Sequence, residues 1–94
     1  MSFKLGQLVM TAGINERVAH DDHFARMVTK SMNRYLRMDW GDLCEEDRES
    51  NDLAVRNGDD RIMASYPIPN EDEKIWIITE WDHSVTTILF PSEY

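Results

Sequence analysis

Residues 74–90 read Lys-Ile-Trp-Ile-Ile-Thr-Glu-Trp-Asp-His-Ser-Val-Thr-Thr-Ile-Leu-Phe. Two runs rich in β-branched and aromatic residues, 74–79 and 85–90, flank the short connection Glu80–Ser84. Such side chains suit a pleated, half-buried surface. A connection this short joins antiparallel strands, because a parallel pair needs a crossover of a dozen residues or more. The stretch is therefore predicted to be a β-hairpin, with Pro91 ending its second strand. Upstream, Pro67–Glu73 has the chemistry of a loop, and 61–66 forms a third strand. Trp76 and Ile78, with Ile88 and Phe90, are expected on one face, and Ile75, Ile77 and Leu89 on the other. Both faces of the central strand are then apolar. Helices on one side alone leave the second face in want of an N-terminal segment or a partner subunit.

Two helices precede the strands. Over 22–37, Phe24, Met27, Val28, Ser31, Met32, Tyr35 and Leu36 recur at spacings of three and four. Arg26, Lys30, Arg34 and Arg37 form a basic stripe opposite, and Asp21 or Asp22 can cap the helix. After Trp40-Gly41-Asp42, a helix over 43–57 puts Leu43, Cys44, Asp47, Asn51, Ala54 and Val55 inside. Asp42, Glu45, Glu49 and Asp52 line its outer side, and Asn57-Gly58 stops it. Residues 3–10 are a candidate first strand weakened by Gly6, and 14–20 a short helical turn. The expected fold is α+β: one two-layer domain over 1–94, with a helical half at 12–57 and a strand half at 60–90. A three- to four-stranded antiparallel sheet packs against two main helices.

The totals narrow function. Ninety-four residues of 11.0 kDa hold one modest core. Eighteen Asp and Glu against ten Lys and Arg give a net charge of −8, which opposes direct binding to nucleic acid or to an anionic membrane. No run approaches the ~20 apolar residues of a membrane span, and Met1–Gly6 lacks the order of an export signal. The lone Cys44 permits no internal disulfide and no thiolate zinc cluster. These features lead to an expectation of a cytoplasmic protein.

His20-Asp21-Asp22-His23 lacks the spacing of a zinc-hydrolase box, and its carboxylates read as a helix cap. Cys44, crowded by Asp39, Asp42, Glu45, Glu46 and Asp47, is disfavoured as a thiolate and reads as a small core residue. Asp82, His83 and Ser84 are consecutive, so they read as turn residues rather than a triad. A buried Asp47 or Asn51 needs a partner, such as a backbone N–H, the Trp40 indole or an arginine. The acidic stripe has two readings, a solvated face or a mimic of regularly spaced phosphates. Trp81, in the turn, is either folded back or displayed as an interface anchor. No catalytic, cofactor-binding or metal-binding residue is assigned. The candidate protein-interaction residues are Asp42, Glu45, Glu49, Asp52 and Trp81.

Trp40-Gly41-Asp42, Glu46-Asp47, Asn51-Asp52 and Ala54, followed by Arg61, Ser65-Tyr66, Ile75–Glu80, Asp82, Ser84, Thr86-Thr87 and Leu89–Tyr94, resemble a group of small bacterial proteins carried on plasmids and other mobile elements. Members are labelled plasmid-related protein or type I restriction endonuclease subunit M. The likeness covers residues 40–94 well and the first 39 loosely. The subunit label implies an adenine methyltransferase, but the chain has no Asn-Pro-Pro-Tyr-type motif and no Gly-rich cofactor turn, so a non-enzymatic role is expected. What the resemblance implies is an acidic interaction protein that counters host defence, as an anti-restriction or anti-CRISPR inhibitor, with a defence nuclease complex as its partner. The alternative is a structural or regulatory homodimer paired through its complementary charged helix faces.

Overall fold

The hairpin forms the centre of the sheet in a computed structural model, which describes residues 3–94. Met1 and Ser2, the start of the stretch read for an export signal, lie outside the described residues. The elements are β1 (Gln7–Met10), α1 (Ala12–His20), α2 (Asp22–Leu36), α3 (Glu45–Asn57), β2 (Ile62–Pro67), β3 (Lys74–Thr79), β4 (Val85–Leu89) and a 3₁₀ turn at Pro91–Glu93. Sheet order is β1-β4-β3-β2. The β2–β3 and β3–β4 pairs are antiparallel, but β1 runs parallel to β4, so the sheet is mixed rather than wholly antiparallel. Among the described residues no helix is long and apolar enough to cross a membrane.

The turn sets the register. Glu80 N–H donates to Val85 O at 3.0 Å and His83 N–H to Glu80 O at 2.8 Å. Thr79 thereby faces Thr86, Ile77 faces Ile88 and Trp76 faces Leu89. Ile88 thus shares a face with Ile75 and Ile77, and Leu89 with Trp76 and Ile78, the reverse of the expected assignment. The helix-side face carries Ile62, Ala64, Tyr66, Ile75, Ile77 and Ile88, which join Ile14, Phe24, Val28, Tyr35 and Trp40 in one core. Ile78 and Leu89 are also buried, but lie outside that core. On the far face Met63 and Trp76 stand across from them, and Tyr94 packs edge-on to Trp76 at 5.8 Å.

Inside the core runs a chain of hydroxyls. Thr86 donates to Leu5 O at 2.7 Å, leaving its oxygen to accept from Thr79 at 2.8 Å. Thr79 in turn accepts from Tyr35 at 2.7 Å. Donation thus runs one way, from Tyr35 to Thr79 to Thr86 to the Leu5 carbonyl, so four segments are joined with no buried oxygen left over. Burial raises the Tyr35 phenol well above its ordinary pKa, so it stays a donor.

Local chemistry explains the boundaries. Asp21 caps α2, accepting from Phe24 N–H at 3.0 Å. Leu36, in the last turn, is 43 % exposed rather than part of the apolar face. Strand β1 starts only after Gly6, whose φ is 66° and whose added Cβ would meet Ser84 O at 2.2 Å. α1 is a full helix from Ala12 rather than a turn at 14–20. Its N-terminus is satisfied from the far end of the chain. The Glu93 carboxylate accepts from the Thr11 hydroxyl at 2.6 Å and from Gly13 N–H at 3.0 Å. α3 ends at Gly58, in the left-handed conformation.

Candidate functional site

The β2 edge and α3 are fastened together. Ser65 N–H donates to Trp40 O at 3.2 Å and Asp42 N–H to Ser65 O at 2.7 Å. This places Gly41 so close that a Cβ would lie 2.1 Å from Ser65 O. Within α3, Asn51 is 5 % exposed. Its amide donates to Met63 O at 2.7 Å and accepts from Met63 N–H at 3.2 Å, so the side chain imitates a neighbouring strand. The partner anticipated for Asn51 is thus backbone. The Trp40 indole N–H goes to Asp52 at 2.9 Å.

Only part of α3 packs: Asn51, Ala54 and Val55 are buried, whereas every residue from Glu45 to Ser50 is exposed. Asp47 and Cys44, expected inside, are therefore on the surface. Cys44 is the N-cap residue, outside the helical phase that would have turned it inward. Glu45, Glu46 and Asp47 occupy the first turn, where carboxylates complement the helix dipole.

The five candidate interaction residues do not form one stripe. Glu45 and Glu49 lie exposed and in line. Asp52 is half-buried and turned to Trp40. Asp42 borders a depression formed by Pro67, Glu71, Asp72, Glu73 and Lys74, so it belongs with the loop carboxylates. Trp81 is displayed, at 68 % exposure. In the same turn the His83 ring donates to Asp60 O at 3.0 Å, which fastens the β3–β4 turn just past the C-terminus of α3. Along the exposed side of α3 the order of side chains is Glu45, Glu49, Leu53 and Arg56. Leu53, 51 % exposed, is the residue that sequence reasoning misses, although its position off the Asn51–Ala54–Val55 line marks it as an outward apolar residue.

The basic stripe is also thinned. Arg34 bonds Asp39 through two nitrogens, at 2.8 and 3.1 Å, and lies over the Tyr66 ring. The Arg34 bond holds the Asp39 carboxyl below its usual range. Arg26, Lys30 and Arg37 remain exposed. The cavity of about 360 Å³ beside α1 and α2 contains Arg17, which is occupied already. It bonds Glu71 and Asp21 and covers the Phe24 ring.

His20 and His23 are exposed. Among the described residues no three His, Cys, Asp or Glu side chains converge on a position that could hold a metal. Ser84 spends its hydroxyl on Asp82 at 2.7 Å, while His83 points to Asp60 O, so the three neighbours serve the turn. Every buried side-chain nitrogen and oxygen among the described residues has a partner. Comparison of the chain with models of protein families, with curated proteins and with solved structures finds no match.

Proposed function

We propose that the chain is a non-enzymatic protein-binding domain whose contact face is the outer side of α3 together with Trp81. The observation that carries this reading is Leu53. It is half-exposed on a helix whose other side is packed, one turn from Glu49 and beside Arg56. An apolar anchor within a charged surround is the composition of a binding patch, where a desolvated centre holds affinity and the rim holds orientation. Glu45, Glu46 and Glu49 suit a basic partner surface, and they speed and orient encounter more than they tighten it. Basic surfaces of that kind belong to proteins that handle nucleic acid. This fits the counter-defence role implied by the resemblance to mobile-element proteins, with a restriction or CRISPR nuclease complex as the partner. The homodimer built from charged helix faces has less support, since Arg34 and Asp52 each serve an internal contact.

The test is capture from host lysate by tagged protein, read by mass spectrometry. The wild-type chain is compared with Glu45→Lys/Glu49→Lys, Leu53→Asp and Trp81→Ala, each checked for an unchanged far-ultraviolet spectrum. A dominant partner lost in the charge reversal and in Leu53→Asp is the expected result. Undiminished capture by the charge reversal and by Leu53→Asp overturns the assignment of this face, and undiminished capture by Trp81→Ala removes Trp81 from it.

A further inference from the structure

The two edges of the sheet are treated differently. At β2 the outward backbone is occupied: Met63 is paired by the Asn51 side chain and Ser65 by Trp40 and Asp42. At β1 no described residue pairs with the outer edge. Gln7 N–H donates to Ser84 O at 2.9 Å and Thr11 N–H to Ile88 O at 3.1 Å. Alternation along an extended strand then turns the N–H and C=O of Leu8 and Met10 away from β4. Side chains there are bare as well, with Leu8 50 %, Val9 37 % and Met10 38 % exposed. Open edges recruit other strands, and proteins blunt them with lysine, proline, bulges, covering segments or very short strands; the four residues of β1 are just long enough to present the outward groups of both Leu8 and Met10. Gln7–Met10 contains no lysine, no proline and no charge, in a chain of which 30 % is charged.

We propose that β1 is the contact through which two copies of this chain pair, edge to edge and antiparallel, about a two-fold axis at Val9. The strand is self-complementary in this register. Leu8 and Met10 of each copy exchange N–H···O bonds with Met10 and Leu8 of the other, and Val9 meets its own copy at a pair that is not hydrogen-bonded. Charge favours this edge over approach elsewhere. At net charge −8, two copies repel, but α3 with its exposed carboxylates flanks β2, at the opposite edge of the sheet. The contact is short, so the dimer belongs to the micromolar range rather than the nanomolar. This surface is separate from the outer side of α3, and the two readings stand or fall independently.

Sedimentation of the wild-type chain up to about 100 µM, well above a micromolar dissociation constant, is expected to reach twice the 11.0 kDa monomer mass. Leu8→Pro removes an outward N–H while sparing the bonds to β4, and Val9→Lys sets two ammonium groups face to face. Each is expected to weaken dimerisation at least about tenfold, or roughly one hydrogen bond's worth. In a Cys44→Ser background, Val9→Cys is expected to yield a disulfide-linked dimer on mild oxidation, since a non-hydrogen-bonded pair brings Cα atoms to about 4.5 Å. Glu45→Lys/Glu49→Lys is expected to leave the dimer intact. A wild-type monomer at the highest concentration overturns the proposal. So does a dimer indifferent to both substitutions, or a folded Val9→Cys chain that fails to cross-link. Should either substituted strand fail to fold, the wild-type mass and the cross-link still decide.

Discussion

Replacing Asn51 with leucine tests how the sheet edge is closed. The substitution nearly conserves volume at a site 5 % exposed, so packing changes little. It abolishes two hydrogen bonds, at 2.7 and 3.2 Å, and strands the N–H and C=O of Met63 beneath α3. A lost bond costs about 0.5–1.5 kcal/mol net, and a buried group left unpaired about 1–3 kcal/mol. Two groups stranded at the half-buried Met63 put the cost at about 3 kcal/mol. For a chain of this size that lowers the melting temperature by roughly 10–20 °C and the urea midpoint by roughly 2 M. Urea titration followed by far-ultraviolet circular dichroism measures this, with an unchanged slope showing that the unfolded state is not at issue. Asp47→Asn, one turn earlier on the exposed part of α3, should change stability by no more than about 0.5 kcal/mol. A loss below about 1 kcal/mol in Asn51→Leu would refute the idea that this side chain stands in for a missing strand.

Glu93→Gln should lower stability near neutral pH by about 1 kcal/mol or less, a capping value discounted for exposure. The bond from Thr11 holds the Glu93 carboxyl below its ordinary pKa. Its contribution is therefore complete above the ordinary glutamate range and is lost as pH falls through the lower folded value. Thermal melts of the two proteins should accordingly converge in acid, and a gap that persists would show a purely steric role. Thr79→Val, at a fully buried site, should cost about 1–2 kcal/mol, because Tyr35 keeps only the 3.5 Å contact to Ile62 O. Combined with Tyr35→Phe the loss should be smaller than the sum, and strict additivity in urea titrations would show that the hydroxyls act separately.

Residue order reveals what neighbours in sequence decide. Lys74–Phe90 announces a hairpin because both strands and their turn are contiguous, and Asp21 caps α2 from three residues away. Contacts between distant segments leave no comparable trace. Nothing in Gln7–Met10 says that it pairs with β4, or in which direction, and nothing near Ala12 says that Glu93 will cap α1. Helical phase alone assigns Asp47 and Asn51 to the same side, correctly as a direction. Only Asn51 is buried, because α3 meets β2 with its second half and its first turns project beyond. The acidic stripe is legible as composition, but Asp42 and Asp52 leave it for contacts made by the Trp40–Asp42 connection. The hairpin faces escape for a smaller reason. Strand patterning gives alternation, whereas the bonds of a turn decide which residues stand opposite.

The parallel pairing of β1 with β4 also has a mechanical consequence. These are the outermost strands of the chain in sequence, and they point the same way. Tension applied through the two ends pulls β1 backward and β4 forward, along the strands rather than across them. The bonds from Gln7 to Ser84 and from Thr11 to Ile88 are then sheared together instead of being opened one after another. Forced unfolding is governed by a rate, and concurrent rupture slows it. A domain of modest thermodynamic stability would on this geometry resist stretching from its ends, and would yield more readily to a pull applied through β2, whose pairing with β3 can unzip from one end.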